Sequence, residues 1–242
     1  MLTAILSDIH GNRQALEAVH SRGQELDVDT WICLGDIVGY GGAPNFCIET
    51  VRALTNQVVL GNHDAAAVGR LDPYYFNDYA RRAVLWTAAQ LTEEENAYLT
   101  GLPLTLDCDD ALCVHAEPCQ PEQWCYVQSR QEARSVLDNM DHRLCFIGHT
   151  HVPFICAHTG GKLQMTGPQE NIAIEADGSY LVNVGSVGQP RDGDPRACFL
   201  LWDQLGNTLE LIRTDYDIAA AQETILDAGL PSFLAQRLAI GQ

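Results

Sequence analysis

Short apolar runs alternate with helical patterns in the N-terminal part of the chain. The runs that suit β-strands are 2–6, 30–34 and 58–60, and the segments with helical spacing between them are 13–22 and 44–54. Strands joined by helices in this order form a largely parallel sheet with helices packed on its faces. The alternation therefore predicts an α/β fold.

The second half of the chain is richer in strands. After a helical segment near 72–101, the strand-like runs are 104–107, 111–114, 143–147, 154–157, 171–175, 180–184, 198–202 and 208–213. Cys108, Asp109 and Asp110 suit a hairpin turn, and helices are predicted near 131–139, 216–228 and 231–240. No linker separates the halves. We expect one domain over 1–242, with a second sheet from the later strands and a helical insertion at about 72–101.

The charge of the chain limits its partners. It has 32 acidic and 14 basic residues and a formal net charge of −18. A surface without basic clusters cannot release counterions from a duplex or bind anionic lipid, which argues against nucleic acid and membranes. No export signal is visible and no apolar stretch approaches the roughly 20 residues that span a bilayer, so we expect a cytoplasmic protein. Divalent cations can still make one pocket positive, which leaves a small anionic substrate compatible with this charge.

Polar residues stand at the carboxyl ends of five predicted strands. They are Asp8 and His10, then Asp36, then Asn62 and His63, then His115, and last His149 and His151. In an open α/β sheet, these ends meet at one edge, where ligands bind. A single histidine or aspartate there is as often a turn or cap residue. Polar residues of these types at five strand ends together predict a ligand-binding site.

The spacing and the residue types suit metal ions. Asp8 and His10 are two residues apart, so in an extended segment both side chains point to the same side, and His149 and His151 share this spacing. The two oxygens of Asp36 can bridge two cations roughly 3.5–4 Å apart, as in two-metal phosphatase sites. The pattern therefore predicts a dinuclear metal site.

These segments together resemble the signature of the calcineurin-like metallophosphoesterases. The motifs are Asp8-x-His10, Gly35-Asp36, Gly61-Asn62-His63-Asp64, His115 and Gly148-His149-x-His151. Each is weak alone, but the combination is specific. The loop 183–191 is similar to the glycine-serine loop of the bacterial and archaeal phosphodiesterase-like branch. The resemblance implies an α/β fold that is a four-layer α/β/β/α sandwich of two mixed sheets.

The resemblance also implies two divalent metal ions per chain. One would take Asp8, His10, Asp36 and His151, and the other Asp36, Asn62, His115 and His149. Nitrogen and oxygen donors without thiolate suit manganese, and also iron, zinc or nickel.

A reaction follows from the same resemblance. A water that bridges the ions, its pKa lowered by both, would attack the phosphorus of the substrate as hydroxide. His63 would not bind metal and would act as the catalytic group that stabilises the transition state or protonates the leaving group. Asp64 would either orient His63 or only cap a helix.

Other candidate residues each have two interpretations. Asn12 could contact substrate phosphate at a helix N-terminus, but N-capping alone explains it and is favoured. Arg191 could also contact substrate phosphate, or could pair with Asp192 or Asp194 in a turn.

A group of aromatic residues in the helical segment also has two interpretations. It could stack on a nucleobase, but its near-helical spacing favours packing onto the sheet. The group is Tyr74, Tyr75, Phe76, Tyr79 and Trp86.

The branch of the family bears on the substrate. After residues 35–38 the protein serine/threonine phosphatase branch continues with aspartate and arginine, whereas this chain has Gly39 and Tyr40. We therefore expect a phosphoesterase that hydrolyses small phosphodiester or phosphomonoester substrates. The alternatives are a dinucleoside polyphosphate hydrolase, a protein phosphatase and, from a different class, a non-catalytic protein-interaction scaffold. The oligomeric state stays open.

Overall fold

The computed structural model describes residues 1–108, 111–167 and 171–242, so Asp109 and Asp110 of the predicted hairpin turn lie outside the described residues. The strands are β1 (Leu2–Leu6), β2 (Thr30–Cys33), β3 (Thr105–Cys108), β4 (Ala111–Val114), β5 (Leu144–Ile147), β6 (Phe154–Thr159), β7 (Lys162–Thr166), β8 (Ile172–Ala173), β9 (Ser179–Asn183), β10 (Ala197–Asp203) and β11 (Thr208–Thr214). The α-helices are α1 (Arg13–Glu25), α2 (Pro44–Leu54), α3 (Asn62–Ala67), α4 (Asp78–Gln90), α5 (Glu93–Thr100), α6 (Arg130–Asn139), α7 (Ile218–Asp227) and α8 (Ser232–Gln236). Short 3-10 turns cover Pro73–Tyr75, Pro121–Gln123 and Arg237–Ile240.

The strands form two mixed sheets. The first has the order β2-β1-β10-β11-β8, and the second has the order β3-β4-β5-β9-β6-β7. In the first sheet only β1 and β2 are parallel, whereas β4, β5 and β9 form a parallel centre in the second. The carboxyl ends of these parallel strands carry the polar loops predicted from the sequence.

Alternating side chains divide the core into layers. In β1, Ala4 and Leu6 face the cluster that α1 and α2 complete, whereas Ile5 faces the second sheet. In β5, Phe146 faces the first sheet and Cys145 packs toward α6. This period of two is what a sheet buried on both faces requires. It produces the predicted four-layer α/β/β/α sandwich.

Two strand assignments differ from the expectation. The later strands do not all join the second sheet, because β10 pairs antiparallel with β1 and β11 follows it into the first sheet. Residues 58–60 form no named strand, only an isolated bridge between Cys33 and Val58. Their backbone instead leads directly into α3, which begins at Asn62. The apolar run 58–60 therefore predicted burial correctly, but it did not predict strand pairing correctly.

The helical segment after residue 72 packs onto the C-terminal helices. A buried cluster joins Ala83 of α4 to Ile225 of α7 and Leu234 of α8, and it also contains Tyr40. The predicted packing of the aromatic group onto the sheet is wrong. Tyr74 and Tyr75 are 79% and 83% exposed, Phe76 and Trp86 pack against this helical cluster, and Tyr79 stacks on Phe233. No helix within the described residues is both long and apolar enough to cross a bilayer.

Candidate metal centre

Seven buried side chains meet where the two sheets present the ends of their parallel strands. They are Asp8 and His10 after β1, Asp36 after β2, Asn62 at the start of α3, His115 after β4, and His149 and His151 after β5. Both sheets contribute, which explains why residues from such distant parts of the chain come together. The structure thus places all seven predicted ligands in one cluster.

Within the described residues, the donor atoms of this cluster separate into two groups. Asp8, His10 and His151 offer ligand atoms within 4.8 Å of one another, and so do Asp36, His115 and His149. In the first group, His10 Nε2 lies 3.1 Å from His151 Nε2. In the second, His115 Nε2 lies 3.2 Å from His149 Nδ1. Each group has the size of a site for one ion.

One oxygen of Asp36 lies between the two groups. Its Oδ2 is 3.6 Å from His10 Nε2 and 3.4 Å from His115 Nε2. Its Oδ1 accepts a hydrogen bond of 2.8 Å from the backbone N–H of His63, which fixes the carboxylate. Asp36 is therefore placed as a shared ligand would be.

Asp8 and Asn62 complete the two groups. Asp8 Oδ2 accepts a hydrogen bond from the His149 backbone N–H at 2.9 Å. Its buried Oδ1 has no hydrogen-bond partner among the described residues, although His151 Nε2 is 3.1 Å away. Asn62 Oδ1 lies 3.1 Å from His115 Nε2. An unpartnered buried carboxylate oxygen is costly unless a cation compensates it.

Backbone carbonyl oxygens hold the outer nitrogen of each of the four histidines. The pairs are His10 Nδ1 with Val38 at 3.1 Å, His115 Nδ1 with Leu34 at 2.8 Å, His149 Nε2 with Trp124 at 2.9 Å, and His151 Nδ1 with Gln189 at 2.6 Å. A carbonyl can only accept, so in the neutral ring the nitrogen facing it carries the proton. The inner nitrogens then direct lone pairs at one another and at the two carboxylates. Such a set of acceptors fits a metal ion.

The pKa shifts reflect the crowding of these groups. Burial would raise the pKa of Asp8, but His151 and the other neighbouring histidines hold it well below its usual value. Burial opposes the charged form of His115, yet Asp36 and Asp8 raise its pKa to about 9. Burial lowers the pKa of His149 to about 4 and of His151 to about 3. The buried negative charge therefore attracts a proton to His115 where no metal competes.

The backbone of the ligand loops differs from the extended conformation expected from the two-residue spacing. Asp8, His10, Asp36, His149 and His151 all have positive φ, between 51° and 67°. The left-handed region costs a non-glycine residue about 1–3 kcal/mol and is concentrated at functional sites. The paired ligands thus converge through tight left-handed turns, so the convergence was predicted correctly for the wrong geometric reason.

Two glycines make room for the side chains of the centre. A Cβ atom on Gly61 would lie 2.1 Å from Asp36 Oδ1. A Cβ atom on Gly39, whose φ is 91°, would lie 2.5 Å from His63 Nδ1. Gly39 is the position at which the chain departs from the protein phosphatase pattern, and here its lack of a side chain allows the His63 ring to pack closely.

His63 stands beside the cluster in an aromatic setting. Its ring centroid is 4.4 Å from that of Tyr40 and 4.7 Å from that of Phe76. Burial holds its pKa well below the usual value, so the ring is neutral at neutral pH. His63 also forms a group with His10 and Asp36 that could hold an ion, so its assignment outside the ligand set stays a prediction.

Asp64 serves the backbone rather than His63. Its Oδ1 accepts a hydrogen bond from the Val38 N–H and its Oδ2 accepts one from the Gly61 N–H, both at 3.1 Å. The second bond caps α3. Burial, followed by the charge of Asp36, raises the pKa of Asp64 to about 7. Of the two interpretations of Asp64, the structure supports the cap.

The structure separates the two predicted substrate contacts. Asn12 caps α1 through a hydrogen bond that Ala15 N–H donates to its Oδ1, and its amide N–H donates to the Gly188 carbonyl. The side chain is thus engaged as a cap, and a phosphate contact by Asn12 stays a prediction. Arg191 instead lines a cavity over the centre.

That cavity contains residues that sequence reasoning did not assign to the site. Its volume is about 280 Å³, and its lining includes Asp36, His63 and Arg191 together with Tyr40 and Arg237. Arg237 lies far from every motif in the chain, and only tertiary packing brings it here. Tyr40 directly follows Gly39 and could have been suspected from its place beside the second motif.

A second, aromatic cavity adjoins the first. It has a volume of about 390 Å³ and is lined by Asn62, Leu71, Tyr75, Phe76, Glu122, Gln123, Trp124, Tyr126 and His149. The Tyr126 ring is stacked on that of His149 with centroids 4.0 Å apart. The metal centre therefore lies between a cationic cavity and an aromatic one.

Comparison with known proteins gives concordant matches. The sequence profile described as the calcineurin-like phosphoesterase superfamily domain matches residues 1–204. An uncharacterised protein of Methanocaldococcus jannaschii is 38% identical over 245 residues, covering 100% of this chain and 98% of the relative. The crystal structure of a metallophosphoesterase from Sphaerobacter thermophilus is similar with a TM-score of 0.89 and 40% identity, covering 100% of this chain and 99% of the other.

A more distant structure supports the fold alone. A hypothetical protein from Pyrococcus horikoshii has a TM-score of 0.81 at 22% identity, covering 100% of this chain and 98% of the other. The same two-sheet architecture thus recurs at low sequence identity.

Proposed function

Since the chain belongs to the calcineurin-like phosphoesterase superfamily, we propose that it hydrolyses small phosphodiesters or phosphomonoesters at a dinuclear metal centre. One ion would be held by Asp8, His10, Asp36 and His151, and the other by Asp36, Asn62, His115 and His149. A small phosphorylated substrate in the cytoplasm suits the charge of the chain.

The orientation of the histidines is the observation that carries this proposal. Four carbonyl oxygens hold the outer ring nitrogens, so the inner lone pairs and two carboxylates converge in a buried space. A single proton on His115 satisfies part of this set, but it cannot satisfy all of the inner nitrogens and carboxylate oxygens. Divalent ions satisfy them, and nitrogen and oxygen donors suit manganese, iron, zinc or nickel.

When bound, the ions would supply an activated water nucleophile and charge neutralisation for phosphate oxygens. The residues of the chain supply the rest. His63 Nδ1 is buried against Gly39, so Nε2 is the nitrogen whose N–H would donate a hydrogen bond to the leaving oxygen and stabilise its developing charge. The Arg191 guanidinium, which lines the same cavity, would bind a phosphate oxygen and orient the ester. Tyr40 and Phe76 hold the His63 ring in place.

The direct test is metal content together with turnover. We expect the purified protein to bind two divalent ions per chain and, with manganese, to hydrolyse bis-p-nitrophenyl phosphate. Metal analysis by mass spectrometry and release of p-nitrophenol measure the two properties. A protein that binds no divalent ion and stays inert with manganese, zinc, iron and nickel would favour the non-catalytic scaffold instead.

Nucleotide polyphosphate hydrolysis is a second candidate function. The observation that favours it is the aromatic cavity, whose lining includes Tyr75, Trp124 and Tyr126 beside the candidate metal centre. Aromatic faces stack on nucleobases with about 1–3 kcal/mol per base. A screen of nucleotides and other phosphorylated metabolites against the manganese-loaded enzyme separates the two candidates.

Manganese binding at pH 7 is expected to release about one proton per chain. His115 has its pKa raised to about 9 by Asp36 and Asp8 against the effect of burial, so it is protonated at pH 7 without metal. His149 and His151, with pKa values of about 4 and about 3, are already neutral and release none. Because the proton and the metal compete for one nitrogen, apparent affinity should fall about tenfold per pH unit below 9.

Calorimetry in buffers of different ionisation enthalpy counts the released protons. A binding enthalpy that is independent of the buffer at pH 7 would show that His115 is neutral before metal binds. The proton assignment would then be wrong, although the ligand set could still stand.

A further inference from the structure

Two arginine side chains line the cavity over the candidate metal centre. Arg191 lies in the loop after β9, and Arg237 begins the last 3-10 turn. Within the described ranges, neither guanidinium forms an ion pair with a side-chain carboxylate. The chain has 32 acidic residues against 14 basic ones, so acidic partners are abundant. Two arginines that lack an acidic side-chain partner within the described ranges and line one cavity therefore point to an anionic ligand.

The acidic residues next to Arg191 are paired elsewhere. Asp192 forms an ion pair with Arg213, and Asp194 pairs with Arg196 at 2.6 Å. The alternative interpretation of Arg191 as half of a turn ion pair is therefore wrong. Arg191 donates to the Gln189 side-chain oxygen at 2.8 Å, and its buried Nε has no hydrogen-bond partner in the described part of the chain. Arg191 therefore still has guanidinium N–H groups that can donate hydrogen bonds to an external anion.

The packing of neighbouring residues fixes Arg237 in the lining of this cavity. Leu234 and Leu238, which flank it in the chain, are buried in the cluster that includes Tyr40. The Arg237 guanidinium lies 5.4 Å from the centre of the Phe233 ring, and its Nε donates to the terminal main-chain oxygen of Gln242. A guanidinium fixed in this way loses little conformational freedom on binding an anion.

The two arginines are held by different parts of the chain. The Arg191 backbone N–H donates to the His151 carbonyl at 3.2 Å, so Arg191 is joined directly to a candidate metal ligand. The Arg237 guanidinium interacts electrostatically with Tyr40 and Arg191. Burial, followed by the charge of Arg191, lowers the pKa of Arg237 to about 10. The Arg191 guanidinium carbon is 5.6 Å from the Tyr40 ring centre. Arg191 is therefore the arginine linked to the ligand loops, whereas Arg237 enters the cavity lining from the last 3-10 turn.

We propose that Arg237, with Arg191 and Tyr40, forms a subsite for a second anionic group of the substrate, so that phosphoesters carrying a further phosphate are preferred. This inference rests on the proposed function for the scissile phosphate, which lies at the metal centre. A second phosphate reaching away from the metals would relieve the repulsion between the two guanidinium groups. The family profile matches residues 1–204, so Arg237 lies outside the matched residues.

Non-hydrolysable ligand pairs test the subsite by binding alone. Propylphosphonate is compared with propylene bisphosphonate, and hexylphosphonate with hexylene bisphosphonate, by calorimetry on the manganese-loaded protein. For at least one length we expect the bisphosphonate to bind roughly tenfold more tightly than the monophosphonate, since a charge-assisted hydrogen bond contributes that much. Arg237→Gln should reduce the ratio to about twofold, which is the statistical advantage of two equal ends. Arg237→Lys should keep most of the preference.

Controls make each outcome decisive. Arg22→Gln removes an exposed arginine that pairs with Glu25 and should leave the wild-type ratio unchanged. A wild-type ratio near two for both lengths overturns the subsite, whether or not any Arg237 variant folds. Equal weakening of both ligands by Arg237→Gln also overturns it, because Arg237 would then contact the scissile group. Failure to hydrolyse bis-p-nitrophenyl phosphate contradicts only the proposed function, since binding is measured separately.

Discussion

Asp36→Asn is expected to reduce the bound metal to at most one ion per chain and to lower kcat/KM on the order of a thousandfold or more. Asp36 Oδ2 lies between His10 Nε2 and His115 Nε2, at 3.6 and 3.4 Å, so it is placed to serve both ions. An amide offers one oxygen without charge, and the loss of metal stabilisation is several kcal/mol in the transition state.

Metal analysis and turnover measured on the same preparation test this expectation. Asp138→Asn is a matched control, because it removes one carboxylate charge from an exposed ion pair with Arg134 on α6. The control should keep two ions and full activity. If Asp36→Asn also kept two ions and lost no more than a few-fold in kcat/KM, the shared-ligand arrangement would be incorrect.

The clustering of the candidate ligands could be predicted from the sequence because each lies in a short local motif. The pairs Asp8 with His10 and His149 with His151 are two residues apart, and strand ends bring such pairs to one edge. The left-handed turns that orient these ligands could not be predicted in the same way. Nothing in the residue type of His10 or His151 demands a positive φ, which the surrounding contacts impose.

The remaining errors arise from long-range pairing and packing. β10 is as apolar as the strands of the second sheet, and only its antiparallel register with β1 places it in the first. Tyr75 has the spacing of a packed residue, yet its ring is exposed beside the aromatic cavity. Arg237 reaches the site only because α8 packs with α7 and Tyr40. Such contacts join distant segments, and a local pattern does not encode them.

His63→Asn is expected to lower kcat on the order of 10²–10⁴-fold while both metal ions stay bound. Loss of one positioned hydrogen-bond donor to the developing charge on the leaving oxygen has an effect of about 10²–10³-fold, within this range. The two ion groups described above are complete without His63, whose ring packs between Tyr40 and Phe76. Asparagine keeps an amide near Gly39 but cannot reach as far into the cavity as the imidazole Nε2. The loss should therefore appear in kcat rather than in metal content.

The choice of leaving group sharpens this expectation. A substrate with a good leaving group such as p-nitrophenol needs little protonation, so His63→Asn should impair its hydrolysis less than that of an alkyl ester. His142→Asn, which changes a histidine paired with Asp107 at the surface, is the control and should behave as wild type. Loss of one ion in His63→Asn would identify His63 as a ligand through its group with His10 and Asp36. Equal losses for both leaving groups with metal retained would instead assign His63 to charge stabilisation on the phosphate.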